Sequence, residues 1–207
     1  MSKIGRHVAL KWIRYMFLAL IAALNTSCSM FSPVKVAPST TYVLNKVPQP
    51  VTKKPTRQIS VLVTQPMTDN IYGTSQMVYS TRPYQISYFA KNRWAEPPAQ
   101  MLQSLMIQTL QKTHYFHAVS PALGNYDFIL NSQLIELRQV FFANRSYVHL
   151  TVRTQIVSTT TNNVLASKEF SIVQPAPQSS PYGGAVAANY AMANLLNQWA
   201  YFCLHRM

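Results

Sequence analysis

The chain has 207 residues, 48% of them hydrophobic, and a formal net charge of +13, which allows one core of domain size plus a short appendage. The basic excess is thinly spread, with no run longer than Lys53-Lys54, so the dense cationic stripe of a nucleic-acid binder is missing and mild attraction to an anionic membrane surface fits better. Only five acidic residues occur, Asp69, Glu96, Asp127, Glu136 and Glu169, and their wide spacing argues against paired-carboxylate catalysis.

At the N-terminus Lys3, Arg6, Lys11 and Arg14 precede an apolar run from Tyr15 to Leu24, followed by Asn25-Thr26-Ser27-Cys28. That is the basic segment, apolar segment and small-residue site of a secretory signal. The apolar run is too short for an ordinary membrane span. A cysteine just after it resembles a bacterial lipobox, where cleavage precedes the cysteine and the thiol takes diacylglycerol. Leu24 stands four places before Cys28, and Asn25 takes the place three before, where leucine is usual. No A-x-A cleavage site competes. Residues 1–27 are therefore expected to be a signal peptide and Cys28 the lipid attachment site. Ser29, in place of aspartate, points to the outer membrane. The other cysteine, Cys203, reads as a small apolar residue of the last helix, with a Cys28–Cys203 disulfide as the alternative if Cys28 carries no lipid.

Residues 28–57 read as a lipidated, proline-rich tether, with Pro33, Pro38, Pro48, Pro50 and Pro55. Within it Thr41-Tyr42-Val43-Leu44 suits a short edge strand. Residues 58–207 are expected to be a single domain. Gln58 to Val63 is a β-rich run. Gln76–Tyr79 and Tyr84–Tyr88 look like two strands joined by Thr81-Arg82-Pro83, as a hairpin. Pro97 and Pro98 suit a helix start, because proline has no amide proton to leave unpaired there. Glu96 beside them puts negative charge at the positive end of the dipole. The spacing of Leu102, Leu105, Met106, Thr109 and Leu110 predicts one buried helix face up to about Lys112. Trp94, just before this helix, reads as the aromatic anchor of a strand-to-helix corner.

Tyr126–Leu130 and Gln133–Leu137 are strand-like. Tyr147–Ile156 alternates, with Val148, Leu150, Val152 and Ile156 on one face and Tyr147, His149, Thr151, Arg153 and Gln155 on the other. Thr160–Asn163 is a turn, and Val164–Val173 pairs back, giving an antiparallel meander. After a proline-rich loop, Gly183-Gly184 opens a helix from about Ala185 to Phe202, with Val186, Tyr190, Ala193, Leu196 and Ala200 as its expected buried stripe. The fold class is α+β: a mainly antiparallel sheet with two helices packed on one face.

Catalytic signatures are absent from the sequence: there is no G-x-S-x-G, Walker loop, G-x-G-x-x-G or H-E-x-x-H. His114 and His117 lie three apart and fit one helical turn, but a metal site needs more ligands, so no metal and no cofactor is expected. Tyr79, Tyr88, Arg93, Trp94 and Pro97 are the candidate corner or interface residues, since aromatic and arginine side chains are enriched at interface hot spots.

Tyr79, Tyr88, Arg93-Trp94-Ala95-Glu96-Pro97-Pro98 and Met101-Leu102, with Tyr42-Val43-Leu44 before them and Trp199 near the end, resemble the signature of the ABC-type transport auxiliary lipoproteins of the paraquat-inducible protein C type. The resemblance spans roughly Tyr42 to Trp199. It implies a periplasm-facing lipoprotein at the outer membrane, non-catalytic, accessory to a lipid-trafficking system of the mammalian-cell-entry (MCE) kind. An ABC transporter permease and ATPase and an MCE-type lipid-carrying protein would be its partners. Two other readings stand beside it: a lipid-binding carrier with an apolar cavity between sheet and helices, and a structural lipoprotein of a secretion apparatus. The polar face of the long strands leaves room for a homo-oligomer contact or for lipid. The Asn162-Asn163 turn departs from the glycine usual in the family, tolerably, because asparagine accepts positive φ.

Overall fold

The computed structural model describes Trp12, Met16, residues 38–49 and residues 55–207. Apart from Trp12 and Met16, the expected signal peptide lies outside the described residues, as do Cys28 and residues 29–37 and 50–54 of the expected tether. Pro38–Met207 forms one compact unit.

Its organising element is β7, Phe128–Phe142. The two segments expected around Asn131-Ser132 are one unbroken strand. On one side β7 pairs along its whole length with antiparallel β8, Arg145–Ser158, which pairs in turn with antiparallel β9, Val164–Pro175. On its other side three short strands follow one another, all parallel to β7. These are β2 (Arg57–Val63) against Phe128–Leu130, β3 (Met67–Thr68) against Gln133-Leu134, and β4 (Gln76–Ser80) against Gln139-Val140. Parallel β6, Phe116–Ser120, flanks β2. Antiparallel β5, Ser87–Trp94, flanks β4, and β1, Thr40–Tyr42, adds as a parallel edge on β5. The sheet is thus mixed. Its long ladders are the antiparallel meander read from the sequence, and its parallel pairings are short additions to β7.

Two details of the hairpin differ from the sequence reading. Residues 84–86 are loop, because Tyr84 adopts φ 62°, which breaks an extended run. Strand β5 instead continues through Arg93-Trp94, which places the supposed corner inside the ladder.

Helix α1, Pro98–Lys112, lies on β2 and β6 and touches α2, Pro181–Arg206, which lies on β8 and β9. Both cover the same face of the sheet: Val63 pairs in register with Leu130, and Leu130 with Ile156, and all three are fully buried. The expected face of α1 is buried as read. Pro97 is its N-cap and makes no side-chain cap hydrogen bond, so the fixed backbone of Pro97-Pro98 sets the entry. The stripe on α2 is different from that expected. Tyr190 is 50% exposed and Val186 is only half-buried, whereas Ala187, Ala188, Ala191, Met192, Leu195, Trp199 and Cys203 are buried together with the expected Ala193, Leu196 and Ala200. Small alanines carry this face, so a reading weighted to large apolar residues misplaces it. The helix starts at Pro181, with Ser180 Oγ accepting from the Gly183 amide at 3.1 Å.

Candidate functional site

Trp94, the central residue of the motif, is 4% exposed and lies in the core. Its amide donates to Ser75 O at 2.7 Å, and the Ala95 amide donates to Tyr42 O at 2.7 Å. The motif therefore ties β1, β4 and the start of α1 to one point. Arg93 on the alternate face is exposed, with Nη2 on Ser75 Oγ at 3.1 Å. Tyr88 is 40% exposed and pairs across to Val78. Tyr79 is half-buried and stacks on Phe89 at 4.4 Å, with Phe141 edge-on at 5.9 Å. The five candidate residues thus do not converge on one surface. Trp94 and Pro97 form structural contacts, Tyr79 belongs to an aromatic trio, and Tyr88 and Arg93 face solvent.

The geometry gathers polar groups elsewhere, along the first half of α2. The chain after β1 runs as a strap, residues 43–49, beside this helix. Asn189 holds it: Oδ1 accepts from the Asn45 and Lys46 amides at 3.0 and 3.1 Å, and Nδ2 donates to Val43 O at 2.9 Å. Lys46 Nζ sits 4.3 Å from the centre of the Tyr190 ring, a cation–π contact. The Tyr42 and Tyr182 rings are 6.3 Å apart. Between strap and helix lies an open cleft of about 420 Å³ lined by these residues. Sequence reading missed this clamp. Its only signal is Asn189 within the alanine-rich first half of the helix, where asparagine has no helical advantage, and two further asparagines on the same helix, Asn194 and Asn197, dilute it.

Beneath α2, Gly184 passes directly over Gln139. A Cβ at Gly184 would stand 2.0 Å from Gln139 Oε1, so any larger residue here must displace the buried Gln139 amide. Gln139 Nε2 donates to Ser146 Oγ at 2.8 Å and to Ser180 O at 3.1 Å. Further along, Trp199 Nε1 donates to Thr154 Oγ1 at 3.1 Å, which shares a hydrogen bond with Ser132 Oγ at 2.8 Å. These buried contacts join helix to sheet.

Titratable groups are few. Burial pushes the Cys203 thiol far above its ordinary range, so it stays protonated, and it is a free cysteine with no exposed surface. Burial, then the nearby Glu136 carboxylate, raise Tyr72. Glu136 Oε1 and Arg138 Nη2 pair at 2.6 Å on the uncovered face of the sheet. His114 adopts φ 54° after α1 and His117 lies in β6, so the two share no helical turn. Among the described residues no group of three or more His, Cys, Asp and Glu could hold a metal ion. Among the described residues no helix is long and apolar enough to cross a membrane.

A crystal structure of a Xanthomonas campestris protein of the DUF330 family has the same fold. Its TM-score is 0.77 at 16% identity, covering 81% of this chain and 96% of that one. A second solved structure, described only as an uncharacterized protein, matches with TM-score 0.65 at 15% identity over 81% of this chain and 99% of its own. No curated protein matches the sequence significantly. The family model described as ABC-type transport auxiliary lipoprotein component matches residues 42–200. That span runs from the β1 tyrosine through the Trp94 junction to Ala200, just past Trp199 within α2, and the chain belongs to this family.

Proposed function

We propose that the protein is an outer-membrane lipoprotein, acylated at Cys28, that serves without catalysis as a docking component of an MCE-like ABC transport system moving lipid across the periplasm. The observation that carries this reading is the family match over residues 42–200, with Cys28 only fourteen residues ahead of it. Its partners are then the permease and ATPase and the MCE-type lipid-carrying protein, and its own work is protein contact. The carrier alternative has less support. A void between sheet and helices lined by Met77, Trp94, Gln139 and Gly184 is about 10 Å³, room for at most one water.

Affinity capture of the full-length protein from solubilised envelopes tests the assignment. Recovery of an ATPase, a permease and an MCE protein is expected. Recovery of secretion subunits with no MCE protein overturns it in favour of a secretion lipoprotein. The anchor is tested separately: a Cys28→Ala precursor should incorporate no labelled palmitate, and normal acylation of that variant would refute the attachment site.

A further inference from the structure

The strand directions place several loops at one end of the sheet. β4 ends at Ser80 and β7, parallel to it, ends at Phe142. β5 begins there at Ser87, β8 at Arg145 and α2 at Pro181. The contacts agree: Ser179 Oγ donates to Asn144 O at 2.9 Å, and the Ala176 amide to Ser146 O at 2.9 Å. Because β1 runs parallel to β5 with Thr40 opposite Asn92, Thr40 is the residue of β1 nearer this end, about 17 Å along the strand from Ser87. Cys28 and Thr40 are a dozen residues apart, so whatever path the chain takes, they are separated by at most about 43 Å.

This end is apolar and basic. Tyr84 is wholly exposed (106%) and Phe142 is 76% exposed. Tyr84 and Ala143, beside Phe142, both have positive φ, at 62° and 50°. Tyr84 follows Pro83 in a turn that the Gln85 amide closes by donating to Arg82 O at 3.4 Å, a position where positive φ favours glycine, and the large ring is left pointing outward. The two tips adjoin, since residues 80–84 and 140–142 line one cleft of about 560 Å³. Arg82 and Arg145 are exposed beside them, and segments 81–86, 142–147 and 175–183 contain no aspartate or glutamate. Exposed rings flanked by arginines suit the interface between lipid headgroups and acyl chains, where an aromatic ring has an apolar body buried and a polar edge wet. The opposite end also exposes apolar side chains, Leu123, Val164 and Leu165, but it shares them with Asp127 and the polar turn Thr159–Asn163, and among the described residues no ring there is as exposed as Tyr84 or Phe142.

We propose that the end formed by residues 81–86 and 142–145 rests on the lipid surface that holds the anchor, Tyr84 and Phe142 entering the headgroup layer and Arg82 and Arg145 facing anionic lipid. This rests on acylation of Cys28, which sets the short reach. Exposed Tyr182, at the start of α2, lies at the same end.

The test uses full-length acylated protein in vesicles of phosphatidylethanolamine and phosphatidylglycerol. Tyr84→Cys, Phe142→Cys and, as control, Thr161→Cys each carry an environment-sensitive nitrobenzoxadiazole label. Cys203 is buried and does not react. On the vesicles, labels at 84 and 142 should shift to the blue and be quenched several-fold by nitroxide lipids, and the label at 161 should do neither. The two sites are independent, so one well-folded variant suffices. Labels at 84 and 142 that stay as wet as the control, on protein that sediments with the vesicles, overturn the proposal, keep the anchor, and leave this end to a protein partner. Protein that fails to sediment and takes label at Cys28 refutes the anchor, and the proposal falls with it.

Discussion

Two neighbouring glycines show how much of the fold hangs on single atoms. A methyl group at Gly184 would collide with the Gln139 amide, which is buried and already committed to Ser146 and Ser180. At Gly183 the obstacle is the backbone carbonyl of Gln178, 2.0 Å from the added Cβ. A side chain can turn away, but a backbone carbonyl moves only with its loop. Gly184→Ala should therefore lower stability by about 1–3 kcal/mol in a denaturant melt, and Gly183→Ala should cost at least as much. If both alanine variants melt like the parent, the close packing of α2 on β7 is not as described. The sequence shows the pair as a helix start. That anything larger would displace Gln139 depends on a partner more than forty residues upstream, which no local pattern encodes.

The hydrogen bonds between strap and α2 all come from one side chain. Asn189 binds two strap amides through Oδ1 and one strap carbonyl through Nδ2. Asn189→Ala removes all three bonds at partly exposed sites, at about 0.5–1.5 kcal/mol each when isolated. The expected outcome is faster proteolytic cutting within residues 43–49 while the sheet stays protected, as local opening without global unfolding requires. Asn189→Asp keeps the acceptor and loses the donor, so its cutting rate should fall between the two. Equal cutting in all three proteins would show that the strap is held by other contacts.

At this scale the sequence was most informative where periodicity was strong. The α1 face and the alternation of Tyr147–Ile156 are read from spacing alone because large apolar residues mark them, and their buried members match. The α2 stripe and the 84–86 loop were misread for physical reasons: alanine and glycine mark the first only weakly, and a strained tyrosine interrupts the second. The motif around Trp94 was legible as a junction. Its candidate surface was not, because alternate residues of one strand point to opposite faces.

For the molecule as a whole, acid should loosen the link between β2 and the start of β7. Asp127 Oδ2 accepts from the Ser60 amide and from Ser60 Oγ, both at 2.7 Å. The backbone bond first, then the hydroxyl, hold this carboxyl below its usual range. A depressed folded-state value stabilises the protein above the unfolded pKa, about 4, and that contribution disappears as pH falls through the folded value. Asp127→Asn should thus melt below the parent at pH 6, with the gap narrowing toward pH 2. A gap that widens on acidification would reverse the sign and refute the link.

The position of β7 in the chain has a consequence for the order of assembly. Strands β2 and β4 meet no common partner until residue 142 has been made, since the strand that joins them comes after both. The first half of the polypeptide can form the β1–β5 and β4–β5 pairings but cannot complete the ladders that run to β7, and closing such distant pairings is slow. A nascent chain of this design gains its central strand only when its latter half arrives, which suits the export that the proposed function requires.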